Sequence, residues 1–434
     1  MIHMSIGKNN IAKIYLVLLT LSIYTPTFEV MDKMSIQNFL LSATNALTLI
    51  SIPYFFKKVS FYETYRNPLL LLFIGYIVIG ILSMIKSINI IESFVRLGQL
   101  LTFALTLFLL IFFINQKLLK VNFILSIILI TLVVDMFFSL KEYIPFLTNG
   151  VAYTYDENSR LVGLYGNRNI LATVISFKIP LVIIYALRYN KSLFYLLSFT
   201  IVTIAFFNIT LLSSRATYLA IIISLIFIAG LTLIKFFKER DKYISKNRAL
   251  LLMYLLPCII AYITSTIAIE SSDEGAVANR ISTITSTDDV SKNTRLRYYS
   301  QSLEHLSKNP ILGAGIGNWK IWSIKYDSKN IENYIIPYNA HNDILEAAAE
   351  TGIFGALFFL SFFLLLLYYI FGLIKRKLLD DETYPIYVLL ALPFIVYFID
   401  LNLNFPSSRP ANQYFYLLYI SIIIILKSSI DEKK

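Results

Sequence analysis

Twelve apolar runs, each near 20 residues, occupy most of the chain: 11–28, 36–56, 68–85, 94–114, 121–139, 170–187, 193–212, 216–234, 249–268, 352–373, 384–401 and 412–427. A bilayer core about 30 Å thick is crossed by roughly 20 helical residues. Backbone polar groups in that core must pair within the protein, so spans are helices or closed barrels, and runs of this length suit helices. The expected fold is therefore an all-α polytopic membrane protein with about 12 transmembrane helices. Composition agrees, with 15% charged residues against about 25% in soluble domains, and a mean hydropathy of +0.67. The first run lacks a small-residue cleavage site and is read as a retained helix. Cys258, the single cysteine, lies in an apolar run beside Pro257 and forms no internal disulfide, so packing is its expected role.

Lysine and arginine collect in cytoplasmic loops. Alternate connections carry Lys8 and Lys13, then Lys57, Lys58 and Arg66, Lys117 and Lys120, Arg188 and Lys191, the basic stretch 235–248, Lys375 to Lys377, and finally Lys427, Lys433 and Lys434. Both termini are thus expected in the cytoplasm. The net charge of +11 follows this membrane pattern and does not point to nucleic acid. Residues 1–268 form a bundle of nine spans, 269–351 a large outer segment carrying amphipathic helices, and 352–434 the last three spans.

The outer segment is the one long polar interval. Leu296, Tyr299, Leu303 and Leu306 recur at three- and four-residue spacing, predicting an amphipathic helix whose apolar stripe meets the membrane or neighbouring helices. Asn309-Pro310 ends it, and Gly313, Gly315 and Gly317 form a tight loop before Trp319 and Trp322, which suit an interfacial position. A second helix begins near Ala340 and runs into the tenth span. His305 falls among polar positions and is expected to be exposed.

His341 stands at the start of that second helix. Its ordinary pKa of about 6.5 suits a base that removes a proton from a hydroxyl near neutrality, although helix capping or water binding is the plainer role for a lone histidine. Arg215 sits between two abutting apolar runs, where a charge is costly and a functional role is the default. Arg160, Arg168, Arg280, Arg295, Arg297 and Arg409 also fall on the outer side, where basic residues should thin out, and Arg96 opens the fourth run there. Guanidinium forks match phosphate oxygens two at a time. Lys178 lines a cavity, pairs with Asp135 or snorkels. Glu346 and Glu350 lie off the spacing that would share a face with His341 and are expected to be helix-surface or packing groups. No Walker loop, dinucleotide glycine pattern or histidine–cysteine ligand cluster is present. Asp288-Asp289 is a solvated acidic pair, and neither a metal nor another cofactor is expected.

The residues Arg160 to Ala172 (RLVGLYGNRNILA), Ser213 to Ala220 (SSRATYLA), Arg295 to Tyr299 followed by Asn309 to Trp319 (NPILGAGIGNW), and Ala340 to Gly355 (AHNDILEAAAETGIFG) together resemble the O-antigen ligase family. That family includes O-antigen polymerases and bacterial O-linked oligosaccharyltransferases. The resemblance extends from about residue 90 and is strongest over 213–355. The chain departs at Asn167-Arg168-Asn169, where the family often has Asn-Pro-Asn, and at Tyr299, where it often has tryptophan.

The resemblance implies a metal-independent, inverting glycosyltransferase of the bacterial inner membrane with its site on the periplasmic face. The donor would be an undecaprenyl-diphosphate-linked glycan and the acceptor a lipid A core sugar or another glycan. By motif position His341 would be the general base, with Arg215 and Arg295 the principal diphosphate ligands and Arg160 a third; Arg297, Arg280 and Arg96 are further candidates from their outer placement. A polymerase that hands the glycan to a lipid-linked repeat is the nearest alternative, with a protein O-oligosaccharyltransferase beside it. A polysaccharide transporter would show an internal repeat and a midplane site, and no repeat is visible.

Overall fold

A computed structural model of the chain describes residues 7–26, 32–56, 60–149, 153–154, 160–238, 247–269, 273–274, 276–282, 290–331, 336–376 and 383–432. Among these residues there are helices and no strands. In chain order they are α1 (Lys8–Ile23), α2 (Lys33–Phe55), α3 (Tyr62–Tyr65), α4 (Pro68–Ser83), α5 (Ile90–Asn115), α6 (Val121–Asn149), α7 (Arg168–Tyr189), α8 (Ser192–Leu212), α9 (Arg215–Lys238), α10 (Asn247–Ala268), α11 (Val277–Ser282), α12 (Val290–Lys308), α13 (Trp319–Asp327), α14 (Asp343–Arg376), α15 (Tyr384–Leu389), α16 (Ala391–Leu403) and α17 (Pro410–Asp431). Asparagine side chains repeatedly set the starts: Asn67, Asn89 and Asn167 accept from the first free N–H groups of α4, α5 and α7, as N-caps do.

Nine helices among the described residues are long and apolar enough to cross a membrane, against the twelve runs expected. The three others have identifiable reasons for falling short. The apolar stretches of α1 and α10, Asn10–Ile23 and Leu252–Ala268, are shorter than a full span. Helix α2 dilutes its hydropathy with an inward polar face. Tyr15 donates to Asn45 Oδ1 at 2.7 Å, Asn45 Nδ2 donates to Thr106 at 2.8 Å, and Gln37 donates to the Ile23 carbonyl at 2.7 Å. Its opposite face exposes Phe39, Leu47 and Ile50. Polar groups turned toward neighbouring helices and apolar ones turned outward is the arrangement a lipid solvent favours.

The described residues divide into two compact units. The first comprises residues 1–121, 290–368 and 401–434. In it α5 packs on α2, α4 and α17, and Phe73 joins α4 to α5 and α14 through Phe103 (4.5 Å between centroids) and Phe362 (5.7 Å). The second comprises residues 122–289 and 369–400, with α8 packed on α7 and α10. Within the second unit Lys178 and Asp135, both fully buried, form an ion pair, and Tyr165 donates to the other Asp135 oxygen at 2.9 Å. Of the three placements open to Lys178 from the sequence, pairing is the one found.

The amphipathic helix expected in the polar interval is α12, with a different face turned inward. Tyr298, Gln301, Ser302 and His305 are buried, whereas Leu296 and Leu303 are more than half exposed. His305 is therefore buried, not exposed as its polar neighbours suggested. Its ring packs on Trp319, Trp322 and Tyr326, and burial pushes its pKa down, with Lys308 adding to the effect. Trp319, expected at an interface, is only 1% exposed and packs with Ala340 and Ala349.

Candidate active site

In the first unit a glycine loop fixes the start of α14. Gly352 has φ 70° and breaks that helix internally, which exposes carbonyls one turn earlier. Ala314 N donates to Ala349 O at 2.8 Å, Gly315 N donates to Glu350 O at 2.9 Å, and Ile353 N donates back to Pro310 O at 2.9 Å. A side chain at Gly313 would collide with the Ala349 and Glu350 backbone, and one at Gly352 with the Ile311 carbonyl. Only glycine satisfies both the left-handed backbone and the contact. Asn318 completes the clamp by donating to the Asn89 carbonyl and Ser93, while its Oδ1 accepts from Asn89 N.

That clamp presents His341 immediately ahead of α14. Asn342 caps the helix, accepting from Ile344 N and Leu345 N at 3.0 Å each, and His341 itself takes a left-handed φ of 56°. The Tyr299 hydroxyl reaches the His341 carbonyl at 3.1 Å and the Asn402 carbonyl at 2.7 Å. The imidazole lies nearly parallel to the Tyr298 ring, 6.1 Å away, and edge-on to Phe405 at 5.1 Å. Nδ1 is buried without a hydrogen-bond partner. Burial first, then the positive charges of Arg295 and Arg409, push the histidine down to a pKa of about 4. It is neutral, and so able to accept a proton, throughout the physiological range.

The expected arginines separate by environment. Arg295 acts directly on His341. Arg297, two residues on, is paired: its Nε and Nη2 donate to the two Asp327 oxygens at 2.8 and 3.3 Å, and its guanidinium lies over Tyr298. A fork held on a carboxylate by that edge keeps only its Nη1–Nη2 edge for another partner. Arg96 lines a cavity that also holds Glu92, Glu346 and Glu350, and it donates to Gln99 and to Ser407. Arg96, like Arg297, is thus already engaged with partners inside the protein.

Glu346 and Glu350 correct the sequence reading in the opposite direction. They are 8% and 5% exposed, and their carboxylates accept from Ala340 N at 2.8 Å and Trp319 N at 3.2 Å. Glu346 thereby holds the peptide just before the histidine. Their four-residue spacing, Glu-Ala-Ala-Ala-Glu, was the available signal, since it puts two acids on one helix face.

In the second unit Arg215 begins α9 after a turn in which Ser213 is left-handed, with φ 49°. Arg280, on α11, donates its Nε to the Ser213 carbonyl at 3.3 Å, so this unit brings Arg280 to the turn that carries Arg215. Arg160 is exposed just ahead of the short helical turn Gly163–Tyr165. An apolar cavity of about 270 Å³ lies between α8, α9, α10 and α11. Asp288 and Asp289 lie outside the described residues. Among the described residues no group of three or more histidine, cysteine, aspartate or glutamate side chains could hold a metal.

Residues 199–360 match the family described as O-antigen ligase. The matched stretch contains Arg215, Arg280, Arg295 and His341, while Arg96 and Arg160 precede it. Comparison with curated proteins gives no match. The histidine at the head of α14, the glycine clamp before it and the arginine turn ahead of α9 all fall within the stretch of this polytopic helical membrane protein that is similar to the O-antigen ligase family.

Proposed function

We propose that the chain is an inverting glycosyltransferase that moves a glycan from undecaprenyl diphosphate to a lipid A core sugar at the periplasmic face of the bacterial inner membrane. In this reading all twelve apolar runs, including α1, α2 and α10, belong to the membrane domain, and both termini are cytoplasmic. The observation that carries the chemistry is an imidazole held neutral between two aromatic rings, with Arg295 and Arg409 beside it.

His341 takes the acceptor hydroxyl proton as that oxygen bonds to the anomeric carbon. The bond from that carbon to the phosphate oxygen breaks with its electron pair, and the diphosphate leaves. A base with a pKa of about 4 gives little driving force for early proton transfer. The proton therefore moves late, when bonding to the electron-poor sugar has made the hydroxyl acidic. A good leaving group makes this sufficient. Arg295 stabilises the growing negative charge by fixed electrostatics. Arg215, Arg160 and Arg280 are proposed to bind the anionic carrier, on their residue type and motif position. No metal is required in this scheme.

The test is complementation of a strain lacking the gene with the His341→Ala variant. Complete polymer should accumulate on the lipid carrier with none attached to core. Normal attachment would remove the histidine from the reaction, and single repeats capped onto core would instead indicate the polymerase alternative.

A further inference from the structure

The cavity that Arg96 lines has about 390 Å³ of space, within the range of small-ligand sites. Helix α5 contributes Arg96 and Gln99, α14 contributes Glu346 and Glu350, and Phe405 and Tyr338 bring aromatic rings. Phe405 is the ring that meets the His341 imidazole edge-on at 5.1 Å. The cavity therefore reaches the same side chain that flanks the proposed base.

Its polar groups identify what it can hold. Lys320 is paired with Glu92, and Arg96 bonds Gln99 at 3.0 Å and the Ser407 carbonyl at 3.3 Å. Both cations thus already have partners within the protein, and a polyol, which brings no charge, fits beside them. Each buried carboxyl group has several hydrogen-bonding positions; Glu346 uses one on Ala340 N and Glu350 bonds the backbone of Trp319 and Gly317, so the others can bond hydroxyls or an ammonium. The Gln99 amide adds donors. Aromatic rings suit the C–H face of a pyranose, while charged groups suit its hydroxyl edge.

We propose that this cavity is the acceptor subsite, taking a neutral or amino-bearing sugar and presenting one of its hydroxyls to His341. This rests on the glycosyl-transfer reading and adds the side from which the nucleophile arrives.

The test places one cysteine in the cavity, Gln99→Cys or, separately, Ser408→Cys, in a Cys258→Ser background, with the full chain in lipid nanodiscs. Labelling by a small methanethiosulfonate reagent is timed with three additions: delipidated core oligosaccharide, delipidated repeat oligosaccharide and undecaprenyl diphosphate. Protection of at least fivefold by one of the oligosaccharides, at both positions, with less than twofold by undecaprenyl diphosphate, is expected. Equal or greater protection by the diphosphate lipid, or none by either oligosaccharide, overturns the assignment. Wild-type turnover in the same nanodiscs separates the two levels. If transfer proceeds without glycan protection, only the subsite falls; if wild type transfers no glycan to any acceptor, both readings fall.

Discussion

Replacing Arg409 by glutamine should move the acid limb of the rate profile upward. In the wild type, burial, Arg295 and Arg409 together lower His341 from 6.5 to about 4. A base with pKa 4 is about 90% unprotonated at pH 5, whereas one at 6.5 is only about 3% unprotonated. The wild-type rate should therefore stay within about 10% of its plateau down to pH 5. Arg409→Gln removes one of the two charges that oppose protonation, so its limb should fall between the wild-type value and 6.5, with visible loss of rate at pH 5. The assay is initial turnover of lipid-linked glycan in nanodiscs between pH 4.5 and 8 at fixed ionic strength, since salt screens the arginines. A wild-type limb near 6.5, or an unchanged limb in Arg409→Gln, would refute the electrostatic account. The same depression has a stability sign. Between pH 4 and 6.5 the unfolded chain binds the proton and the folded chain does not, so stability rises with pH across that window. Acidification through it costs up to about 3 kcal/mol, at about 1.4 kcal/mol per pH unit.

Gly352→Ala and Gly313→Ala each put a Cβ against backbone on a left-handed residue and should cost at least about 1–3 kcal/mol, read as a lower melting temperature in detergent. Arg297→Gln should lower thermal stability by removing the charged partner of Asp327 while the donor KM stays within twofold; a tenfold rise in donor KM would place Arg297 in the substrate site. Lys178→Met alone should destabilise by about 3–5 kcal/mol because it strands buried Asp135, and the double variant Lys178→Met with Asp135→Leu should recover most of that loss. Chelation with EDTA should leave turnover unchanged, and a loss restored by a divalent cation would contradict a metal-free mechanism.

The membrane architecture was legible because a span is a one-dimensional signal: length and hydropathy mark it without knowledge of its neighbours. The same simplicity misled where burial depends on partners. Helix α12 carries leucines on one face, yet its buried face is Tyr298, Gln301, Ser302 and His305. The inward face is the one that finds partners, Trp322 and Tyr326 for His305 and Asp327 for Gln301. The place of His341 just ahead of a helix was legible, but its depressed basicity was not, because Arg409 and Phe405 come from more than 60 residues away in sequence. Arg297 and Arg295 look alike in sequence. They differ because Asp327 meets one of them. Glu346 and Glu350 were misjudged for the same reason, since their backbone partners lie in loops whose path no local pattern specifies.

The most direct measurement is single-turnover release of undecaprenyl diphosphate by purified His341→Gln in nanodiscs with saturating donor and acceptor. A rate lowered by about 10²–10⁴, with donor binding and melting temperature unchanged from wild type, is the predicted result. Release within a fewfold of the wild-type rate would contradict the assignment of the proton transfer to this imidazole.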